Sequence, residues 1–242
     1  MPNLANLPVA DLQAGTANWS GQGYIEGLKM VWNSATSLSV TSGAAFIPSL
    51  SKCLQSPSAI TKSGLSLAAS TWYHVYLYLN AGTPDIEIVT TAPAAPYNGT
   101  ARAKTGDTSR RYVGSILTDT SGGIFSIKQT GNKILYRSSN GGTAPFRILN
   151  NGVATVLTTV NASSAMPITS TNLIGFAQNL SSNGFVAINA PGDALVNFYV
   201  GPNKTYVVDL YTDELQAIQY KFDVAPSGGG AYLDVLGYTY ER

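Results

Sequence analysis

The chain has one histidine, His74, and one cysteine, Cys53, in 242 residues. That scarcity removes most site chemistry: a Ser-His-Asp or Cys-His nucleophile would have to use His74, and a zinc site of His and Cys would have only these two ligands. A single cysteine forms no internal disulfide, so the fold does not depend on an oxidising compartment. Charge is equally scarce. Asp, Glu, Lys and Arg make up 11% of the chain, against roughly a quarter in an average soluble domain, and the formal net charge is +1. A polyanion partner requires clustered Lys and Arg to displace counterions, and the nearest approach is Arg102, Lys104, Arg110 and Arg111, with Asp107 among them. So small a patch reads as solubility or local pairing, and nucleic acid is not an expected partner. No apolar run reaches the eighteen or so residues of a membrane-spanning helix, so membrane insertion is not expected either. The opening Met1-Pro2-Asn3-Leu4-Ala5 has neither the basic nor the apolar region of a secretory signal.

What the chain does have is glycine, tyrosine and hydroxyls. Its 24 Gly and 14 Tyr, with abundant Ser, Thr and Asn, suit pleated half-buried surfaces joined by tight turns. The expected fold is all-β, with an N-terminal arm over 1–27 and two consecutive antiparallel β domains over 28–129 and 130–242. Pro, Ala, Asn and Gly dominate the arm, and its only sizeable anchors are Trp19 and Tyr24. Such a segment orders against a partner or forms a loosely packed terminus.

Period-two patterning starts at Leu28. Strands are predicted over 28–32, 37–41 and 44–48, with another around Ile60 and Leu65–Leu67. The clearest runs from Thr71 to Leu79, with Tyr73, Val75, Leu77 and Leu79 on one face and Trp72, His74, Tyr76 and Tyr78 on the other. Within that aromatic row His74 reads as a packed imidazole holding one hydrogen bond, not as a general base, because no carboxylate or nucleophile stands at a suitable spacing. A return strand follows over 85–89. The proline-rich 92–100 is unsuited to a central strand, and strands over 111–117 and 124–128 close the first domain. Nine more are predicted over 133–137, 146–149, 153–160, 173–178, 184–189, 194–200, 205–211, 217–224 and 231–240, with Asn150-Asn151-Gly152 as a hairpin turn. That spacing predicts a β-sandwich of jelly-roll or related type.

Candidate sites are few. Asp85 and Glu87 share a strand face and superficially suit a glycosidase pair, as do Asp209 and Asp213. Asp209, Asp213 and Glu214 lack the spacing of a calcium cage and read instead as caps of the turn at Thr212-Asp213. Gly228-Gly229-Gly230 is followed by no helix and reads as a mobile hairpin tip, not a phosphate loop. No catalytic, cofactor or metal residue is assigned.

Two blocks, Thr91-Ala92-Pro93-Ala94-Ala95-Pro96-Tyr97 and Thr105-Gly106-Asp107-Thr108-Ser109-Arg110-Arg111-Tyr112, go beyond simple β composition. Together with Ser42–Pro48 and Leu65–Tyr78, they make the stretch Trp32 to Asp119 resemble a module of tailed-bacteriophage virion proteins, found in tail fibres, baseplate-attached proteins and head fibres. The resemblance implies a non-enzymatic virion component, a homotrimer attached through one part of the chain and projecting another. It carries no catalytic motif and no cofactor. The implied partners are copies of the chain itself, other virion proteins through the N-terminal arm, and a host-surface glycan or protein. Tyr199, Tyr206, Tyr211, Tyr232, Tyr238 and Tyr240 could stack on sugar rings, but for any one of them packing in the sheet or at the trimer interface is the favoured reading, and no ligand-binding residue is assigned. Competing functions are capsid decoration, by a head fibre or cement protein, and polysaccharide depolymerisation. Assembly in the host cytoplasm into the virion is the implied location.

Overall fold

A computed structural model describes residues 20–137, 142–192 and 198–242. The strands are β1 (Ile25–Gly27), β2 (Met30–Ser34), β3 (Ser37–Val40), β4 (Gly43–Ile47), β5 (Lys52–Ser56), β6 (Ile60–Lys62) and β7 (Trp72–Asn80). Next come β8 (Thr83–Val89), β9 (Ala103–Lys104), β10 (Asp107–Leu117), β11 (Ile127–Thr130), β12 (Lys133–Tyr136), β13 (Arg147–Gly152) and β14 (Thr158–Asn161). The remainder are β15 (Ser170–Asn179), β16 (Val186–Asn189), β17 (Phe198–Val200), β18 (Lys204–Tyr211), β19 (Ala217–Phe222) and β20 (Ala231–Tyr240). Helix among the described residues is confined to two 3-10 turns, Ser20–Gly23 and Pro48–Leu50. The fold is all-β, as composition predicts.

The last eight strands pair as one long antiparallel hairpin folded over on itself: β13 with β20, β14 with β19, β15 with β18 and β16 with β17. Cross-pairing of β15 with β20 and of β16 with β19 then gives sheet orders β13-β20-β15-β18 and β14-β19-β16-β17. That connectivity is a jelly roll. The Tyr220 ring of β19 reaches across the sandwich to Gly152 of β13, where a Cβ would stand 2.5 Å from its hydroxyl oxygen.

Pairing does not stop at the boundary expected between residues 129 and 130. That boundary falls within the last two residues of β11, just before the turn of the β11–β12 hairpin; β12 joins β20, and β11 joins β2 through Lys128 and Val31. The result is a nine-stranded sheet, β18-β15-β20-β12-β11-β2-β3-β6 with β13 also on β20, to which both halves of the sequence contribute. A four-stranded sheet, β8-β7-β10-β9, covers its other portion, and β1-β4-β5 forms a small third layer. One buried core cluster runs from Leu28 to Tyr240.

β20 is common to both sandwiches, and a one-residue slip makes this possible. Ile174 pairs with Gly237 but Gly175 pairs with Val235, so Leu236 is an extra residue in the ladder. A bulge of this kind reverses the alternation beyond it. Ala231, Leu233 and Val235 are buried before it, and Tyr238 and Tyr240 after it. Strict alternation through β20 would have turned those two tyrosines outward; their burial agrees with the packing reading and takes them out of the candidates for stacking on a ligand.

Several other expectations change. Residues 1–19 of the predicted arm lie outside the described residues, whereas Ile25–Gly27 pairs with β4 as part of the fold. Asn150-Asn151-Gly152 is not a hairpin turn but the end of β13. Asn151 there takes a φ of +54°, a left-handed conformation open to asparagine, at a register shift against β20. Strand is replaced by loop over 153–157, and the predicted strand over 194–200 is described only from Phe198. β5 went unpredicted because Lys-Cys-Leu-Gln-Ser shows little alternation. Nor is β7 aliphatic on one side and aromatic on the other in exposure: His74, Val75, Tyr76 and Leu77 are all buried, since layers cover both its faces.

Candidate functional site

His74 is where its sequence context puts it, buried in the aromatic seam. Its Nδ1 lies 2.8 Å from Ser115 Oγ on β10. Ser115 Oγ in turn lies 2.7 Å from the Tyr112 hydroxyl, which is 2.8 Å from Thr169 Oγ1 in the loop before β15. The seam continues with the Tyr238 hydroxyl donating to the Ser115 carbonyl and the Tyr240 hydroxyl to that of Val113. Burial pushes the His74 imidazole down to about 4 and the Tyr112 phenol up to about 12, so both are neutral at physiological pH. This is a packing network between the two sandwiches, with no carboxylate in it.

The paired carboxylates are also accounted for. Burial alone would raise the Asp85 carboxyl, but Lys62 Nζ at 2.8 Å and the Ile86 amide outweigh it and hold Asp85 below the usual carboxylate range. A glycosidase acid needs the opposite displacement. Glu87 bridges Lys104 at 2.8 Å and Arg110 at 3.3 Å. Asp209 accepts from Asn172 Nδ2 at 3.0 Å. Asp213 Oδ1 accepts from the amides of Leu215 and Ala217 and so caps the turn it begins.

The basic run disperses into local contacts. Lys104 and Arg110 hold Glu87, and the Arg110 guanidinium also sits 4.1 Å from the centre of the Tyr78 ring. Arg102 pairs with Glu241 at 3.1 Å, while Arg111 is fully buried and donates to the carbonyls of Arg102 and Tyr112. Gly228–Gly230 is not a free tip. The Leu180 amide donates to the Gly230 carbonyl, and a Cβ at Gly230 would stand 2.5 Å from the Gly152 carbonyl oxygen. Among the described residues no three His, Cys, Asp or Glu side chains could hold a metal. Cys53 is exposed and free.

Of the tyrosines proposed for stacking, Tyr238 and Tyr240 are buried, and Tyr232 is half-covered with Arg147 over its ring at 4.8 Å. Tyr199, Tyr206 and Tyr211 are exposed, although Tyr206 meets Phe198 edge-on. Tyr211 is 71% exposed at the end of β18, and it stands on the rim of a cleft of about 910 Å³.

That cleft opens where the two sandwiches meet. Pro93, Ala95 and Pro96 form one wall, with ring-fixed φ at the two prolines and backbone bonds from Ala94 to Ala103 and from Tyr97 to Ala101 holding it in place. The other wall comes from the loops before β15 and after β18, pinned by the Thr212 amide bonding to the Thr171 carbonyl. The paired Arg102 and Glu241 lie between the walls. No sequence motif announces this cleft, because its lining is gathered from four separate segments. A second, more apolar cleft of about 560 Å³ holds Trp72, Phe125 and Pro145 on the same junction, where Trp72 Nε1 donates to the Ser163 carbonyl.

The jelly roll has two unlike ends. Its loops 161–170 and 211–217 face the first sandwich, through bonds such as those of Ser163 and Thr169. The loops 153–157, 180–185, 201–203 and 223–230 gather at the opposite end and hydrogen-bond to their neighbours, as from Phe222 to Ala154 and from Asn203 to Ser181. Val156, Leu157, Phe185 and Val224 are exposed there. No protein-family model and no curated protein matches the chain.

Proposed function

We propose that the chain is a non-enzymatic structural and adhesion component of a tailed-phage virion, working as a trimer with the jelly roll directed outward. The two-ended jelly roll carries this reading. One end is fixed to the first sandwich through buried tyrosines, and the other presents four loops on which Val156, Leu157, Phe185 and Val224 are exposed. The sandwich containing the blocks that resemble virion proteins is then the particle-side portion, continuing into the N-terminal arm. Low charge and short edge strands such as β6 suit subunits packed side by side. Three copies would turn weak contacts into useful avidity.

The test uses the full chain, labelled with a maleimide dye at the exposed Cys53. Light scattering gives the mass in solution, and flow cytometry on a panel of Gram-negative and Gram-positive bacteria gives the binding. A trimer that coats a subset of strains is the expected result. A trimer that coats none moves the assignment to capsid decoration, and a monomer by light scattering overturns the virion-fibre reading.

A further inference from the structure

We propose that the cleft between the proline-rich wall and Tyr211 binds a neutral saccharide; this adds a ligand class and a second site, at the junction of the sandwiches and away from the four outward loops, to the adhesion reading above and rests on it. The volume, about 910 Å³, is that of a small-ligand site. Both walls are preorganised by the backbone bonds and prolines already described, so little ordering opposes binding. The Tyr211 ring is exposed with no packing role of its own and offers a flat apolar face to the C–H side of a sugar ring. Exposed Ile168 extends that apolar rim.

The polar lining matches hydroxyls. A sugar hydroxyl both donates and accepts, and the cleft supplies carboxylate acceptors at Glu214 and Glu241 beside hydroxyls at Ser170 and Thr212. Its floor also keeps hydrogen-bonding capacity that the protein does not use. Ser170 Oγ and Arg102 Nε are buried there without a partner, although most buried polar groups have one.

Charge decides which saccharides fit. Asp213, Glu214 and Glu241 face a single guanidinium, Arg102, which Glu241 already neutralises. Sialylated, phosphorylated or uronic-acid sugars would meet net repulsion, and the favoured ligand is uncharged. An acidic cleft also suits a basic peptide, which is therefore the competing occupant in the test.

The experiment screens the full-length protein on an array of neutral and anionic oligosaccharides with oligolysine spots included, then titrates the best neutral hit by isothermal calorimetry. Tyr211→Ala and Glu214→Gln are compared with the parent chain; both side chains are exposed, so the fold is retained, and circular dichroism checks it. The expected result is saturable binding of at least one neutral oligosaccharide, weakened about tenfold by Tyr211→Ala, with anionic arrays blank. Binding confined to oligolysine or to anionic sugars, binding unchanged in both variants, or no binding anywhere overturns the proposal. The same variants on bacteria separate the two readings. Undiminished cell coating by Tyr211→Ala sinks the cleft as an adhesion site and leaves adhesion by the outward loops standing, whereas array binding without cell coating sinks adhesion and leaves the cleft as a saccharide site.

Discussion

His74 Nδ1 and Ser115 Oγ, 2.8 Å apart on adjacent strands, form one hydrogen bond in a site the imidazole occupies only as a neutral ring. Burial lowers the folded-state value to about 4, while the unfolded chain titrates near 6.5. Between these values the unfolded state binds the extra proton, so stability is complete above pH ~6.5 and falls as pH drops towards ~4, by about 3 kcal/mol in all. Urea midpoints at pH 7 and pH 4.5 measure this. His74→Asn should remove most of the difference, and an unchanged slope in that variant would show that other groups cause it.

Tyr238 should weigh on both sandwiches at once. Its ring meets Trp72 and Tyr136, and its hydroxyl bonds to the Ser115 carbonyl. Tyr238→Phe should cost about 1 kcal/mol for the hydrogen bond, and Tyr238→Ala about 3–5 kcal/mol for the lost packing. Unfolding followed by tryptophan fluorescence and by far-UV circular dichroism should shift together. Separate transitions would mean that the sandwiches unfold independently.

Asp234 and Arg147 pair in two-pronged fashion, Nε to Oδ1 and Nη2 to Oδ2, both at 2.8 Å. The Gly142 amide adds a third bond to the same carboxylate. The pair is largely but not fully covered, so Asp234→Ala should destabilise by about 2 kcal/mol, below the loss for a fully buried pair. Thermal melts at low and high salt check this: a large recovery of the parent at low salt alone would mark the pair as a screened surface contact.

Gly237 has no room for a side chain. A Cβ there would stand 2.1 Å from the Ile134 carbonyl oxygen, a backbone atom in the paired strand β12 that cannot swing aside. Gly237→Ala should cost about 3 kcal/mol or more, read as a lowered urea midpoint. An unaltered midpoint would mean that β12 and β20 are not in this register.

The sequence disclosed local pairing far better than the alliance of distant strands. β7, β15, β18 and β20 were legible as runs of β-favouring residues between turn residues, and a sandwich of jelly-roll or related type followed from the strand spacing. The turn caps of Asp213 and the packed state of His74 were legible too, since both depend on near neighbours and on what is missing around them. The slip at Leu236 was not, because a bulge depends on the partner strand and leaves no mark in composition. It is what turns Tyr238 and Tyr240 inward. The sheet crossing residues 129 and 130 was hidden for a related reason: the Lys128–Val31 pairing spans 97 positions of sequence, beyond any local pattern. The cleft was hidden because Pro93, Ser170, Tyr211 and Glu241 become neighbours only after the sandwiches join.

β20, shared by the two sandwiches, has a consequence during synthesis. The ribosome releases Ala231–Tyr240 after every other described strand, yet Tyr238 and Tyr240 fill the seam against β10 and Leu233 and Val235 fill the jelly roll. The earlier strands must therefore wait, with cores incomplete, until the chain has emerged through residue 240. A nascent chain stalled before residue 231 should be digested by protease along its whole length, and one extended past 240 with a linker should become resistant in a single step.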